Sequence, residues 1–266
     1  MDRENKKANV ICFSNHKGGV GKTCSTCNIG AGLAQLGKKV LMVDLDPQAN
    51  LTLSLGYGNV KVNLYNCLTD KAHISDSICN VTENLDLVPS SLDLAGAEVE
   101  LSSEAGRETI LKGVLDPVMD KYEFILIDCP PSLSLLTMNA FTVANEVYVP
   151  VQAQFLSLVG MDKLTEVIKK VKKRLNNKVD IGGFIITQFD PRMVSHQEVE
   201  SFVVESFKEK VFKTRIRNNI SLAEAPSQGK DIFRYKSRSN GADDYRSLCV
   251  EIVEKYGIKK KEIERV

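Results

Sequence analysis

The stretch NVICFSNHKGGVGKT (9–23) constrains this chain more than any other. An apolar run, NVICFS, reads as a buried strand, and it stops at a glycine-rich loop. After the loop, Ile29, Leu33 and Leu36 recur at helical spacing, and Gly37 follows as a glycine at C′ commonly does. Glycines let a backbone turn so that several N–H groups converge on one anion. A helix starting near Lys22 adds the positive end of its dipole. The pattern G-x-x-x-x-G-K-[ST] is met only in part. Its first glycine would fall at His16, and Lys17, Gly18 and Gly19 come next. The physics of a phosphate cradle still holds, with Lys22 placed for β/γ-phosphates and the Thr23 hydroxyl for Mg²⁺.

The same alternation continues along the chain. KVLMVDLD (39–46), LDLVPS (85–90), EFILIDCP (123–130), EVYVPV (146–151) and GGFIITQF (182–189) read as further buried strands. Strands apolar on both faces belong to parallel sheets covered by helices. Helical segments lie between them. The clearest is 161–175, with Leu164, Val167, Ile168, Val171 and Leu175 on one face. The predicted fold is α/β: a doubly wound, mostly parallel sheet flanked by helices, of the P-loop NTPase type. No linker or internal repeat interrupts it, so one domain is expected over 1–266, with a core of about 9–256. GYGNVKVNL (56–64) reads as a loop, and the charged tail 257–266 as frayed.

Acidic residues stand at two strand ends, the edge where ligands gather in open α/β sheets. VDLDPQAN places Asp44 and Asp46 there, and ILIDCPP places Asp128 there. An acid after a buried strand in a chain with a phosphate loop suits a Mg²⁺ ligand, direct or through water. Cys24 and Cys27 form a C-x-x-C, but a zinc site wants four ligands and no second C-x-x-C exists. Both fall on the first turns of the helix, where packing against the sheet is expected. The seven cysteines are odd in number and irregular in spacing, which suits free thiols in a reducing cytosol. With 35 basic and 34 acidic residues, composition argues against a strongly basic nucleic-acid module, though not against a local basic face. No run approaches the apolar length of a transmembrane helix, and the N-terminus lacks a signal-peptide pattern. A cytoplasmic protein is expected.

These motifs together resemble a known family. KGGVGKT is similar to the deviant Walker A motif of the ParA/MinD group of P-loop ATPases, VDLDPQAN to their A′ motif and ILIDCPP to their Walker B. SLAEAPSQGKDIFRYKSRSNGADDY (221–245) resembles the ParA/Soj branch, so the likeness spans about 10–253. The resemblance implies an ATP hydrolase with ATP and Mg²⁺ in a sandwich homodimer. The nucleotide site would comprise Lys17, Gly18, Gly19, Val20, Gly21, Lys22, Thr23 and Cys24. Lys22 would serve its own nucleotide and Lys17 the partner's, which explains two lysines. Asp46 would orient or activate the attacking water, and Thr23, Asp46 and Asp128 would form the magnesium set. Gln188, Arg217 and Asn218 are implied for adenine.

The resemblance further implies slow hydrolysis, non-specific DNA binding by the ATP dimer, and stimulation by the basic N-terminal segment of a ParB-like centromere-binding protein. The protein would then be nucleoid-associated and would not require a membrane. The chain reaches the phosphate-loop strand at once, so a helix-turn-helix extension and operator binding are not expected. Arg192, Arg215, Arg217, Lys230 and Arg234 are the DNA-contact candidates, with Lys236 and Arg238 beside them. Ser221 departs from the pattern, because Soj-like members usually carry arginine there. KKVKKR (169–174) reads as the wet side of an amphipathic helix.

Besides an iron–sulfur or metal-carrying relative, which would need cysteine ligands converging at a dimer interface, two readings compete on the same fold. A MinD-like membrane ATPase would end in a strongly apolar amphipathic helix, whereas YGIKKKEIERV offers only Ile258, Ile263 and Val266 as aliphatics. A nucleotide-gated DNA-binding scaffold with little hydrolysis is the other. Lys22, Thr23, Asp46 and Asp128 are all present, so the site reads as competent.

Overall fold

The computed structural model describes residues 8–154 and 160–257. Most of the tail expected to fray lies outside them. The described strands are β1 (Asn9–Phe13), β2 (Val40–Asp44), β3 (Cys79–Thr82), β4 (Leu85–Val88), β5 (Phe124–Asp128), β6 (Glu146–Gln152) and β7 (Asp180–Thr187). They form one seven-stranded sheet in the order β3-β4-β2-β5-β1-β6-β7. Every neighbouring pair is parallel except β3 with β4. All six runs read as strands from the sequence are strands. β3 is an addition: CNVT is half-exposed at the sheet edge, so it lacks the apolar signature of the buried strands.

The helices are α1 (Lys22–Gln35), α2 (Asn50–Ser54), α3 (Leu64–Leu68), α4 (Ile74–Ser77), α5 (Leu94–Leu101), α6 (Ile110–Leu115), α7 (Leu135–Val143), α8 (Met161–Arg174), α9 (Val194–Phe207), α10 (Ile220–Glu224), α11 (Ile232–Lys236) and α12 (Asn240–Lys255). Strand side chains alternate between two cores. Ile11, Phe13, Met42 and Leu126 meet α1 and α12 through Ile29, Leu33, Leu248 and Ile252. Cys12, Val43 and Ile127 meet the other helical layer through Phe141, Leu164 and Ile168. Each such fully buried aliphatic contributes about 1.5–3 kcal/mol. The sheet is therefore doubly wound, as expected.

Local signals hold at α1. Gly37 has φ 72° at C′. Its N–H donates to Ala34 O at 2.9 Å and the Lys38 N–H to Leu33 O at 3.1 Å, a Schellman closure. On α8 one expectation is corrected. Leu164, Ile168 and Val171 are buried, but Leu175 is the C-cap and 41% exposed. The chain leaves the helix there, so the residue no longer shares the buried face.

The α1–α12 contact is close enough to demand glycine. A Cβ at Gly32 would lie 2.5 Å from Cys249 Sγ and 3.3 Å from the Phe233 ring. Gly32→Val should therefore lower stability by roughly 1–3 kcal/mol through overpacking. Urea denaturation checks this, and an unchanged midpoint would show that α12 yields freely.

Candidate functional site

Parallel register builds the site. Phe13 at the end of β1 and Asp44 at the end of β2 both stand opposite Asp128 at the end of β5. The loop after β1, the turn after β2 and the turn after β5 therefore leave the sheet side by side.

Side-chain hydrogen bonds to β6 and from the end of β7 pin the loop. Asn15 is buried, and its Nδ2 donates to Pro150 O at 2.8 Å while its Oδ1 accepts from the Lys17 N–H at 3.0 Å. Thr187 Oγ1 donates to Val20 O at 2.8 Å, and Gln188 Nε2 to Gly19 O at 2.8 Å. Gly19 and Gly21 have φ of 74° and 88°, which a side chain would resist. Gly21 is also the N-cap of α1, with no side chain capping the first turn. Its N–H groups face a cleft of about 670 Å³ lined by Gly18, Gly19, Gly21, Lys22, Thr23 and Asp46.

Charge is concentrated below that cleft. Lys22 is only 7% exposed, and its Nζ donates to Lys17 O at 3.3 Å. Burial lowers its pKa, and the attraction of Asp128 works against that fall. Burial, then repulsion from Asp44, pushes the Asp128 carboxyl well up, whereas Thr23 and Lys22 pull it down. Burial likewise raises Asp44 to about 7 despite hydrogen bonds from Thr52.

The three acids have different jobs. Asp46 lines the cleft, and its Oδ1 accepts from the Gln48 N–H at 2.9 Å. Asp44 is a buried prop. Its Oδ2 accepts from Thr52 N–H at 2.8 Å and Oγ1–H at 2.7 Å, and its Oδ1 from the Asp46 N–H at 3.2 Å. Ser90 completes the brace, donating its N–H to Thr52 Oγ1 at 2.9 Å and its hydroxyl to Asp46 O at 2.8 Å. Asp128 Oδ2 is buried without a hydrogen-bond partner, and Thr23 is a neighbour of that carboxyl. A hard cation beside the cleft suits this oxygen. Mg²⁺ takes one or two carboxylates plus substrate phosphates, not an all-protein cage. The residues present therefore fit a magnesium ion.

The remaining candidates separate. Lys17 is half-buried, does not line the cleft, and has its Nζ 3.5 Å from Gln152 Oε1. Cys24 and Cys27 do line it, and burial raises both thiols. Cys24 Sγ also accepts from Tyr245 Oη at 3.5 Å. Gln188, Arg217 and Asn218 converge on the cleft because the Phe189 N–H donates to Ile216 O and the Asn218 N–H to Phe189 O. The Arg217 guanidinium is held by Asp244 at 2.6 Å.

The five basic candidates have different surroundings. Lys230 and Arg217 belong to the cleft wall. Arg215 is 18% exposed and paired with Glu200 at 2.6 Å, and Arg234 is paired with Asp231. Arg192 is 87% exposed, with both ends of its guanidinium on Asp190. Sequence reasoning missed Asn15, Thr52, Ser90 and Thr187. Only Asn15, next to the glycine loop, carried a local signal.

The brace is open to test. Thr52→Val keeps the shape but removes a donor from a buried carboxylate, which should cost about 1–3 kcal/mol. Chemical denaturation would read this, and a loss below a few tenths would show the hydroxyl is dispensable.

A family model described as an AAA domain matches residues 8–181. The chain is 46% identical to the chromosome-partitioning ATPase Soj of Treponema pallidum over 93% of its length and 98% of the relative. It is 44% identical to the sporulation initiation inhibitor protein Soj of Bacillus subtilis, over 91% and 97%. Its fold is similar to that of cobyrinic acid a,c-diamide synthase from Mycobacterium smegmatis with bound ATP analogue and magnesium. That match has a TM-score of 0.83 at 32% identity, covering 94% of this chain and 96% of the other.

Proposed function

This chain belongs to the ParA/Soj family of chromosome-partitioning P-loop ATPases, and we propose that it runs an ATP-driven partition cycle on DNA. It is an ATP hydrolase that uses ATP and Mg²⁺. In the proposed cycle the ATP form is a sandwich homodimer that binds DNA without sequence preference on the nucleoid. A ParB-like partner accelerates hydrolysis and so releases it. The observation that carries this reading is the shared edge of β1, β2 and β5, which brings the glycine loop, Lys22, Thr23, Asp46 and Asp128 together.

The chain's own groups divide the work. The N–H groups of the loop and of the first turn of α1 hold the phosphates by direction and charge. Lys22, buried and fixed, neutralises the β- and γ-oxygens. Thr23 and Asp128, with Asp46 close by, would hold Mg²⁺, which supplies charge neutralisation between those phosphates. Asp46 hydrogen-bonds the attacking water and aligns it with the γ-phosphorus. The new P–O bond forms as the β–γ bridging bond breaks, and ADP leaves with inorganic phosphate. The Asp44–Thr52–Ser90 brace holds Asp46 in place through its main chain. Lys17, whose Nζ lies 3.5 Å from Gln152 Oε1 and which is not among the cleft-lining residues, is assigned in this cycle to the partner's nucleotide across the dimer.

Lys22→Ala should lower hydrolysis by roughly 10²–10³-fold, the usual cost of removing one charge-stabilising donor. Lys17→Ala should instead bind ATP as a monomer and fail to dimerise, as light scattering with ATP would reveal. A Lys17→Ala variant that dimerises normally would remove the trans role. Asp46→Ala should accumulate as an ATP dimer on random-sequence DNA, with phosphate release near background. Rapid turnover by that variant would assign the water to another group.

A further inference from the structure

We propose that the outer face of α5 is the docking surface for a cationic, apolar-anchored polypeptide segment that controls hydrolysis. Leu92, just before the helix, is 72% exposed and Val99, seven residues on, is 75% exposed. At 100° per residue they share one face with Ala95 and Gly96, opposite the buried Leu94, Ala97 and Leu101. A Cβ at Gly96 would meet nothing within 4 Å, so the stripe is open.

Charge says what would cover it. Residues 91–106 carry Asp93, Glu98, Glu100 and Glu104 and no Lys, Arg or His; Lys71 pairs with Glu100 at 3.6 Å and Arg107 donates to Ser102 O, so the exposed Asp93 and Glu104 carry most of the acidic character offered to a ligand. By helical position Asp93 flanks the stripe on one side, beside a Glu100 already paired with Lys71, and Glu98, which accepts from the Leu136 N–H, flanks it on the other. An apolar strip between carboxylates complements a basic segment that inserts apolar side chains.

The helix is also tied to both catalytic turns. Two residues before Leu92, Ser90 donates its hydroxyl to Asp46 O at 2.8 Å. Glu98 Oε1 accepts from the Leu136 N–H at 3.2 Å, at the start of α7, which follows the turn after Asp128. A ligand that shifts α5 therefore moves the supports of Asp46 and of the Asp128 turn together. Within the function proposed above, the occupant is the basic segment of the ParB-like partner, and in that respect the inference rests on that reading.

The test pairs Leu92→Glu/Val99→Glu with Glu104→Lys, both checked for native circular dichroism. Phosphate release is measured with ATP, DNA and the full-length ParB-like partner. Dimerisation with ATP is measured separately. The expected result is unchanged basal hydrolysis and dimerisation, with stimulation reduced at least roughly tenfold in the double variant, as for loss of a central apolar anchor. Glu104→Lys should lose less, and its deficit should shrink in high salt. Full stimulation of the double variant would overturn the proposal. So would loss of dimerisation together with stimulation, because the stripe would then be a contact between copies of this chain. If the partner fails to stimulate even the wild type, the partition reading fails. The surface is then judged by fluorescence anisotropy with an 18-residue Lys/Leu amphipathic peptide. Weaker binding by the double variant supports the surface, and equal binding overturns it.

Discussion

Everything functional hangs on the in-register parallel pairing of three strands. Because Phe13, Asp44 and Asp128 sit opposite one another, the sheet delivers a glycine loop and two acidic turns to a single edge. A slip of one residue would turn the apolar side chains of a strand to the wrong core. The two cores, filled on both faces, prevent that slip. Site geometry is thus a by-product of apolar packing some way below it.

The same packing creates the electrostatic problem that the site exploits. Lys22, Asp44 and Asp128 are nearly or fully buried, so desolvation works against the charged form of each. Asp44 is compensated by three donors within the brace, whereas Asp128 keeps an unpartnered oxygen. The first arrangement suits a support and the second suits a ligand for a cation. In the proposed cycle, burial would also strengthen the hold of Lys22 on polyphosphate, since a lysine fixed at low dielectric needs little reorganisation.

Much of this was legible beforehand, for identifiable reasons. β1, β2, β4, β5, β6 and β7 are apolar on both faces, and such runs have few alternatives to a covered parallel sheet. Gly37 and Gly21 mark the ends of α1 because their backbone angles favour glycine. β3 escaped because an edge strand needs no continuous apolar run, and Leu175 misled because periodicity does not mark where a helix stops. The basic candidates show what sequence leaves open. Arg215, Arg217 and Arg234 fall within one C-terminal stretch of the sequence, and each is held by a different acid, Glu200, Asp244 and Asp231.

What the sequence determined alone was the local chemistry: a loop that can hold phosphate, a lysine and threonine at the head of a helix, and acids at strand ends. Those follow from short-range stereochemistry, which spacing and residue type express directly. Only the tertiary structure decided that Asp44 supports while Asp46 faces the cleft, that Asn15, Thr187 and Gln188 pin the loop, and that Thr52 and Ser90 brace the acid. Most of these contacts join residues far apart in the chain. They exist because two cores fix the strand order, and no local pattern records which distant side chain will complete a hydrogen bond.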